Sequence, residues 1–227
     1  MLWYHLVRSV IKLMRMRKKP NLIPRMERCA HVKIDDPAAI KGLWRSSFPG
    51  YKDLWLEIGC GKGRFTAETA AANPESFLVA IEKVADAMVV GMERCTDGQI
   101  ENVRFIDGDA LALPILFDPG EVDRIYLNFC DPWPRKRDAK HRLTSPGFLR
   151  IYEEILKPGG EIHFKTDNDP LFEYSIETMR DEGWELSELT RDLHANGPSG
   201  IMTDYEVKFY EQGVTINRVV AKKEKRA

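Results

Sequence analysis

"LEIGCGKGRF" (residues 56–65) is the stretch that decides how the rest of the chain is read. Leu56 and Ile58 close an apolar run that starts at Asp53, Gly59, Gly61 and Gly63 alternate through a turn, and a helical pattern follows from about residue 63 to 72. A strand that feeds a helix through glycines is a nucleotide-type loop, because the backbone can approach a ligand closely and the helix N-terminus offers free N–H groups. Two phosphate-binding versions fit poorly. A dinucleotide fingerprint needs glycine at the sixth position, where Arg64 stands, and a P-loop needs Gly-Lys-Ser/Thr, where Gly61-Lys62 is followed by Gly63. What remains is E-x-G-x-G-x-G, with Glu57 at the strand end facing the loop. A carboxylate there repels a pyrophosphate and attracts a cation.

Working outward, short apolar runs alternate with helical patterns. Strands are expected at 53–59, 77–82, 103–109, 122–129 and 161–167, and helices at about 63–72, 85–95, 145–156 and 170–182. Ser145-Pro146 and Asp169-Pro170 read as the starts of the last two helices. Such alternation predicts β-α-β units and a parallel sheet covered by helices on both faces. In the tail, "YEVKFYEQG" and "VTINRVVAKK" read as two strands joined at Gln212-Gly213, so the sheet is expected to end in an antiparallel hairpin. Ligands of an open α/β sheet bind beyond the carboxyl ends of its strands. Two more acids fall at such ends: Glu82, placed to accept ribose hydroxyls, and Asp109, placed to accept from an adenine amino group. With Glu57 they suit a neutral nucleoside that carries a positive pole, such as S-adenosylmethionine.

The totals are those of a globular protein. The chain has 227 residues, 43% hydrophobic and 30% charged, with a net charge of −1, so attraction to a polyanion has to come from local patches. Cys29, Cys60, Cys95 and Cys130 form no C-x-x-C pair and have no histidine at ligand spacing; free thiols in a reducing cytosol are expected, with no metal site. No apolar run reaches the roughly 18 residues of a membrane span, so neither a membrane partner nor a location outside the cytoplasm is expected. Residues 1–19 contain no acid and place Trp3, Val7, Val10 and Met14 on one helical face. Residues 1–15 are expected to be a dispensable extension with Met14 or Met16 as the working start, residues 16–50 a basic arm, and residues 51–227 the catalytic domain.

"CDPWPRKRDAKHR" (130–142) concentrates charge at the end of the fourth strand. Pro132 and Pro134 restrict the backbone around Asp131 and Trp133, which are expected to be extended in a stiff loop. Trp133 has two readings, a platform for a base or a residue that packs the loop onto the sheet. Lys136, Arg137, Lys140, His141 and Arg142, with Arg15, Arg17, Lys18, Lys19, Arg25 and Arg28 of the arm, are expected to form a phosphate-binding surface whose affinity falls with salt. His31, His163 and His194 show no partner in the sequence.

With these stretches in place, the chain resembles the bacterial tRNA (guanine-N7-)-methyltransferases, which are class I S-adenosylmethionine-dependent enzymes. The resemblance rests on "LEIGCGKGRF", "AIE", "GDA", "LNFCDPWPRKRDAKHR", "FLRIYEEILKPGG", "FKTDN" and "TDYE", and runs from about Met16 to the tail. It implies a Rossmann-like α/β fold with a seven-stranded sheet and methyl transfer to N7 of guanosine 46 in the variable loop of tRNA, leaving S-adenosylhomocysteine. It further implies that Glu57, Gly59, Gly61, Glu82, Asp109 and Asp131 hold the cofactor, with Asp131 also catalytic. Arg135, Asp167, Thr203, Asp204, Tyr205 and Glu206 would contact the substrate, and Arg137, Asp138, Ala139, Lys140, His141 and Arg142 the RNA. No metal and no obligatory protein partner are implied, and monomer and homodimer are both compatible. Arg135 departs from the usual lysine after D-P-W-P, so a planar fork replaces a point charge. Two other readings fit the motifs less well: a class I methyltransferase acting on another RNA or a small heteroaromatic, and a non-catalytic RNA-binding module that has kept the fold.

Overall fold

The computed structural model describes residues 21–223. The amphipathic stretch at residues 1–19, its basic residues and the expected boundary at residue 15 lie outside the described residues.

Seven strands form one sheet: β1 (Asp53–Ile58), β2 (Ser76–Glu82), β3 (Val103–Asp107), β4 (Val122–Asn128), β5 (Leu156–Thr166), β6 (Glu185–Thr190) and β7 (Asn217–Lys222). Their order is β3-β2-β1-β4-β5-β7-β6. The first five run parallel, and β7 lies antiparallel between β5 and β6. The helices are α1 (Leu22–Arg28), α2 (Trp44–Ser47), α3 (Arg64–Ala72), α4 (Ala85–Asp97), α5 (Leu113–Leu116), α6 (Pro146–Ile155), α7 (Asp169–Asp181) and α8 (Asp204–Glu211).

Period-two alternation sorts the strand residues onto two cores. Leu54, Leu56 and Ile58 face α6 and α7 with Phe77, Val79 and Ile81. Trp55, Leu78, Ala80 and Phe105 face α3 and α4. Glu57 shares the face of Trp55, which aims it at α3. The segment expected to be an arm is built into these cores: Cys29, Val32 and Trp44 are buried, and Trp44 Nε1 donates to the Leu116 carbonyl at 2.8 Å. The strand order reverses between β1 and β4, and the crevice beyond their carboxyl ends is where this architecture binds ligands.

Two sequence expectations need correction. "YEVKFYE" is the helix α8 and not a strand; the antiparallel partner of β7 on its outer side is β6. The alternation of Tyr205, Val207 and Phe209 imitated period two. Thr203 and Glu206 form a reciprocal capping box that starts the helix, and Glu206 is buried while Tyr205 and Lys208 face solvent. β6 escaped notice because it is a polar edge strand, half-buried only at Leu186 and Thr190 and kinked at Glu188 (φ 49°). The second correction concerns α7. Its cap is Asn168, whose Oδ1 accepts from Leu171 N at 2.8 Å, whereas Asp169 accepts from Asn217 Nδ2 at 2.8 Å.

Candidate active site

At the carboxyl end of β1, Glu57 is fully buried. It accepts from Thr66 Oγ1 of α3 at 2.5 Å and from Asn128 Nδ2 of β4 at 3.3 Å. Burial pushes its carboxyl up to about 7, against the opposing pull of those two hydrogen bonds and of Lys165. Asn128 Oδ1 beside it is also buried and, among the described residues, has no donor. A buried carboxylate with no ion pair among the described residues, beside an amide oxygen with no donor, fits a ligand ammonium group. Gly59 and Gly61 have φ of 79° and 56° and face open space, so a ligand can lie against the loop backbone. Gly63 does different work. A methyl group there would sit 2.4 Å from Gly91 Cα in the middle of α4, so the loop and that helix meet backbone to backbone.

Glu82 is buried at the end of β2 and is held from two sides. Its Oε2 accepts from Gly61 N at 2.8 Å and its Oε1 from Val84 N at 2.9 Å, which fixes the carboxylate and leaves each oxygen a second lone pair. Asp109 is exposed and accepts from Leu111 N at 3.0 Å, capping a short 3-10 turn. These residues and Glu57 are brought to one rim of the sheet by the registers Ile58 to Ile81 and Glu82 to Asp107.

On the far side of the switch point, β4 runs into the D-P-W-P loop. Asp131 is exposed and, among the described residues, makes no hydrogen bond or ion pair. Trp133 corrects the expected extended loop: its φ is 41°, a left-handed conformation for a bulky residue that also precedes a proline. Its ring is half-buried and lies 5.2 Å from that of His141. Arg142 accounts for the turn. Its Nε donates to the Pro132 carbonyl and its Nη2 to the Trp133 carbonyl, both at 3.0 Å, while the guanidinium lies 4.2 Å over the ring of Tyr174 in α7.

Residues 194–206 are anchored by a buried acid of α8 and its partners. Glu206 is 0% exposed. Its Oε2 accepts from Lys165 Nζ of β5 at 2.6 Å and from Thr203 N at 3.2 Å, and its Oε1 faces His194 Nε2 at 3.1 Å. Because Ser199 N donates to His194 Nδ1 at 3.1 Å, the histidine proton sits on Nε2 and points at Glu206. Lys165 also donates to the Ile201 carbonyl at 3.1 Å, tying residues 194–206 to the end of β5. Burial holds Lys165 below the usual lysine range, opposed by Glu206 and Glu57. Asp204 pairs with Arg94 of α4 at 2.9 Å. Tyr205 is 41% exposed, and burial, followed by the charges of Glu82, Asp131 and Asp204, raises its phenol above the usual tyrosine range. Asp167 is half-buried, and burial followed by Asp169 raises its carboxyl. His194 and Lys165 carried no signal in the sequence because their partner lies on a helix read as a strand.

The cations divide into two groups. Lys136, Arg137, Lys140 and His141 lie exposed on a 3-10 turn, Lys136–His141, whose half-buried Asp138 faces Arg135 at 3.7 Å and Arg137 at 3.9 Å, with Ala139 beside it. Arg25 and Arg28 of α1, by contrast, pair with Glu93 of α4, and Arg28 also with Asp97 at 3.3 Å. Among the described residues no group of three or more His, Cys, Asp or Glu could hold a metal ion, and no helix is long and apolar enough to cross a membrane.

A sheet of this order, with a glycine loop after β1, acids at successive strand ends and an antiparallel β7, is the Rossmann-like fold of the class I methyltransferases. The sequence model of a family described as "Putative methyltransferase" matches residues 52–219. The chain belongs to that family, in agreement with the resemblance carried by its motifs. Among solved structures it is similar to the 16S rRNA methyltransferase KamB, at 17% identity and a TM-score of 0.60 over 78% of this chain and 90% of that one. The aminoglycoside resistance methyltransferase NpmB1 gives 21% identity and a TM-score of 0.56 over 79% and 91%. A geranyl diphosphate C-methyltransferase from Streptomyces coelicolor A3(2), solved with S-adenosyl-L-homocysteine, gives 18% and 0.51 over 77% and 70%. At these identities the likeness is one of fold.

Proposed function

We propose that this protein transfers a methyl group from S-adenosylmethionine to N7 of guanosine 46 in the variable loop of tRNA. The observation that carries this reading is Asp131, an exposed carboxylate at the end of β4 with no protein partner among the described residues, followed directly by a turn that exposes Lys136, Arg137, Lys140 and His141. RNA as the substrate class is supported by that turn and by the likeness to KamB, a 16S rRNA methyltransferase. Residues 51–227 would form the catalytic domain, and the described part of the arm, residues 21–50, packs against it.

When bound, S-adenosylmethionine supplies an electrophilic methyl group on a sulfonium. Glu57 and Asn128 Oδ1 would receive its amino group, Glu82 its ribose hydroxyls through the free lone pairs, and Asp109 its adenine, with Gly59 and Gly61 admitting it to the loop. Guanine N7 has a lone pair and no proton at neutral pH, so no general base is required and positioning supplies much of the rate. As the bond forms, the purine gains positive charge. Asp131 would stabilise that charge and accept from the guanine Watson–Crick edge, which adenine cannot match. Arg135, Asp167, Thr203, Asp204 and Tyr205 would frame the base, and Arg137, Lys140 and His141 would meet phosphates.

The test uses two unmodified tRNA transcripts that differ only in guanosine or adenosine at position 46, with labelled S-adenosylmethionine. Label on the guanosine transcript alone, recovered as 7-methylguanosine after digestion, is the expected result. Equal label on both would move the target to another nucleotide, and label on ribosomal RNA alone would move it to another RNA. No label on any RNA, with cofactor binding intact, would leave an RNA-binding module.

A further inference from the structure

Arg142 differs from the cations that precede it. It is half-buried where Lys136, Arg137, Lys140 and His141 are exposed. Its Nε and Nη2 donate to the carbonyls of Pro132 and Trp133, the residues that follow Asp131, and its guanidinium lies over the ring of Tyr174. Its own backbone is fixed as well: Arg142 N donates to Ala139 O at 3.1 Å, and Ser145 N to Arg142 O at 2.9 Å. Two positions on, Thr144 Oγ1 meets Ser175 Oγ of α7 at 2.7 Å in a buried contact. The loop is thus tied to α7 at adjacent points.

The turn it holds would be unfavourable alone. A tryptophan at φ 41° before a proline costs on the order of 1–3 kcal/mol and persists only where surrounding contacts fix it. Two carbonyls presented side by side to a planar fork are such contacts, and a lysine ammonium could not make both in the same geometry while also stacking on tyrosine.

We propose that Arg142 is a positioning residue and not a phosphate contact: with Tyr174 it clamps the strained Pro132-Trp133 turn and thereby sets the direction of the Asp131 carboxylate. The proposal rests on the methyl-transfer reading for its kinetic test and on the loop alone for a second readout.

The variants are Arg142→Lys, Arg142→Ala, Tyr174→Leu and Tyr174→Phe. With tRNA as substrate, Arg142→Lys and Tyr174→Leu are expected to lower kcat by roughly 10²-fold, the scale of a misplacement near 1 Å. The KM for tRNA and the salt slope of tRNA binding should not change, and Tyr174→Phe, which keeps the stacking ring, should behave as the wild type. A normal kcat in Arg142→Lys, together with a salt slope reduced by about one in Arg142→Ala, would make Arg142 a phosphate contact and overturn the proposal. The second readout is the rate of trypsin cleavage within residues 135–140 of the free protein. Faster cleavage in Arg142→Lys and Tyr174→Leu but not in Tyr174→Phe supports the clamp, and equal rates in all four overturn it. If wild type methylates no tRNA, the functional reading fails while the trypsin result still decides the clamp.

Discussion

On the glycine-loop side of the crevice two acids are held by backbone N–H groups, Glu82 by Gly61 and Val84 and Asp109 by Leu111, while Glu57 is held by the side chains of Thr66 and Asn128. On the β4–β5 side the charges are held by side chains far away in sequence: Lys165 and Glu206 are 41 positions apart and Arg94 and Asp204 are 110 apart. The first arrangement needs only a turn and an acid at fixed spacing. The second needs the whole sheet to be assembled before any of its partners meet. A locally encoded glycine-loop side therefore faces a β4–β5 side whose geometry depends on tertiary ion pairs.

The contrast can be broken most forcefully at Lys165. Lys165→Met leaves Glu206 buried without its cation, and unfolding stability is expected to drop by about 3–5 kcal/mol in urea titrations. A drop below about 1 kcal/mol would show that the pair does not anchor residues 194–206. The next largest effect is kinetic. Asp131→Ala should lower kcat on tRNA by 10²-fold or more with cooperative melting retained, and a kcat within tenfold of wild type would remove Asp131 from the chemistry.

On the cofactor side the effect is one of pH. The folded carboxyl of Glu57 lies near 7 against an ordinary 4.5, so its contribution to stability is fully present below about pH 4.5 and is lost as pH rises through 7. Melting temperature should fall from pH 5 to pH 8, by an amount equivalent to at most about 3 kcal/mol, and Glu57→Gln should flatten that fall. A bound ammonium favours the ionised form, so S-adenosylhomocysteine is expected to bind more tightly at pH 8 than at pH 6 in the wild type, with proton release on binding measurable by calorimetry in buffers of different ionisation enthalpy. Unchanged affinity across that range would separate Glu57 from the ligand. The smallest effect contrasts the two basic segments: Lys140→Ala should reduce the salt slope of tRNA binding by about one, and Arg28→Ala, already paired with Glu93 and Asp97, should leave it unchanged.

The parallel part of the sheet and its four flanking helices were legible because each strand is buried on both faces and each connection carries turn residues. Glu57, Glu82 and Asp109 were legible for the same reason, as acids directly after apolar runs. The tail was not. Tyr205, Val207 and Phe209 alternate with charges, and nothing in that stretch discloses that Glu206 lies inward to meet Lys165 and His194. Residue type also hid direction. Arg28 and Arg142 read as free cations alongside Arg137 and Lys140, and only the fold shows that the first is paired with α4 and the second is turned toward its own loop.

The contact between Gly63 and Gly91 enlarges the glycine motif by a member that no fingerprint contains. Glycine in the middle of a helix is unfavourable by about 1 kcal/mol relative to alanine, and α4 carries it at the place where a methyl group would press on Gly63 and on Phe105. The constraint is mutual: a side chain at either position meets the backbone of the other, and alteration at residue 91 would be felt 28 positions earlier as a shifted loop. A survey of variants that retain activity should find glycine kept at both positions.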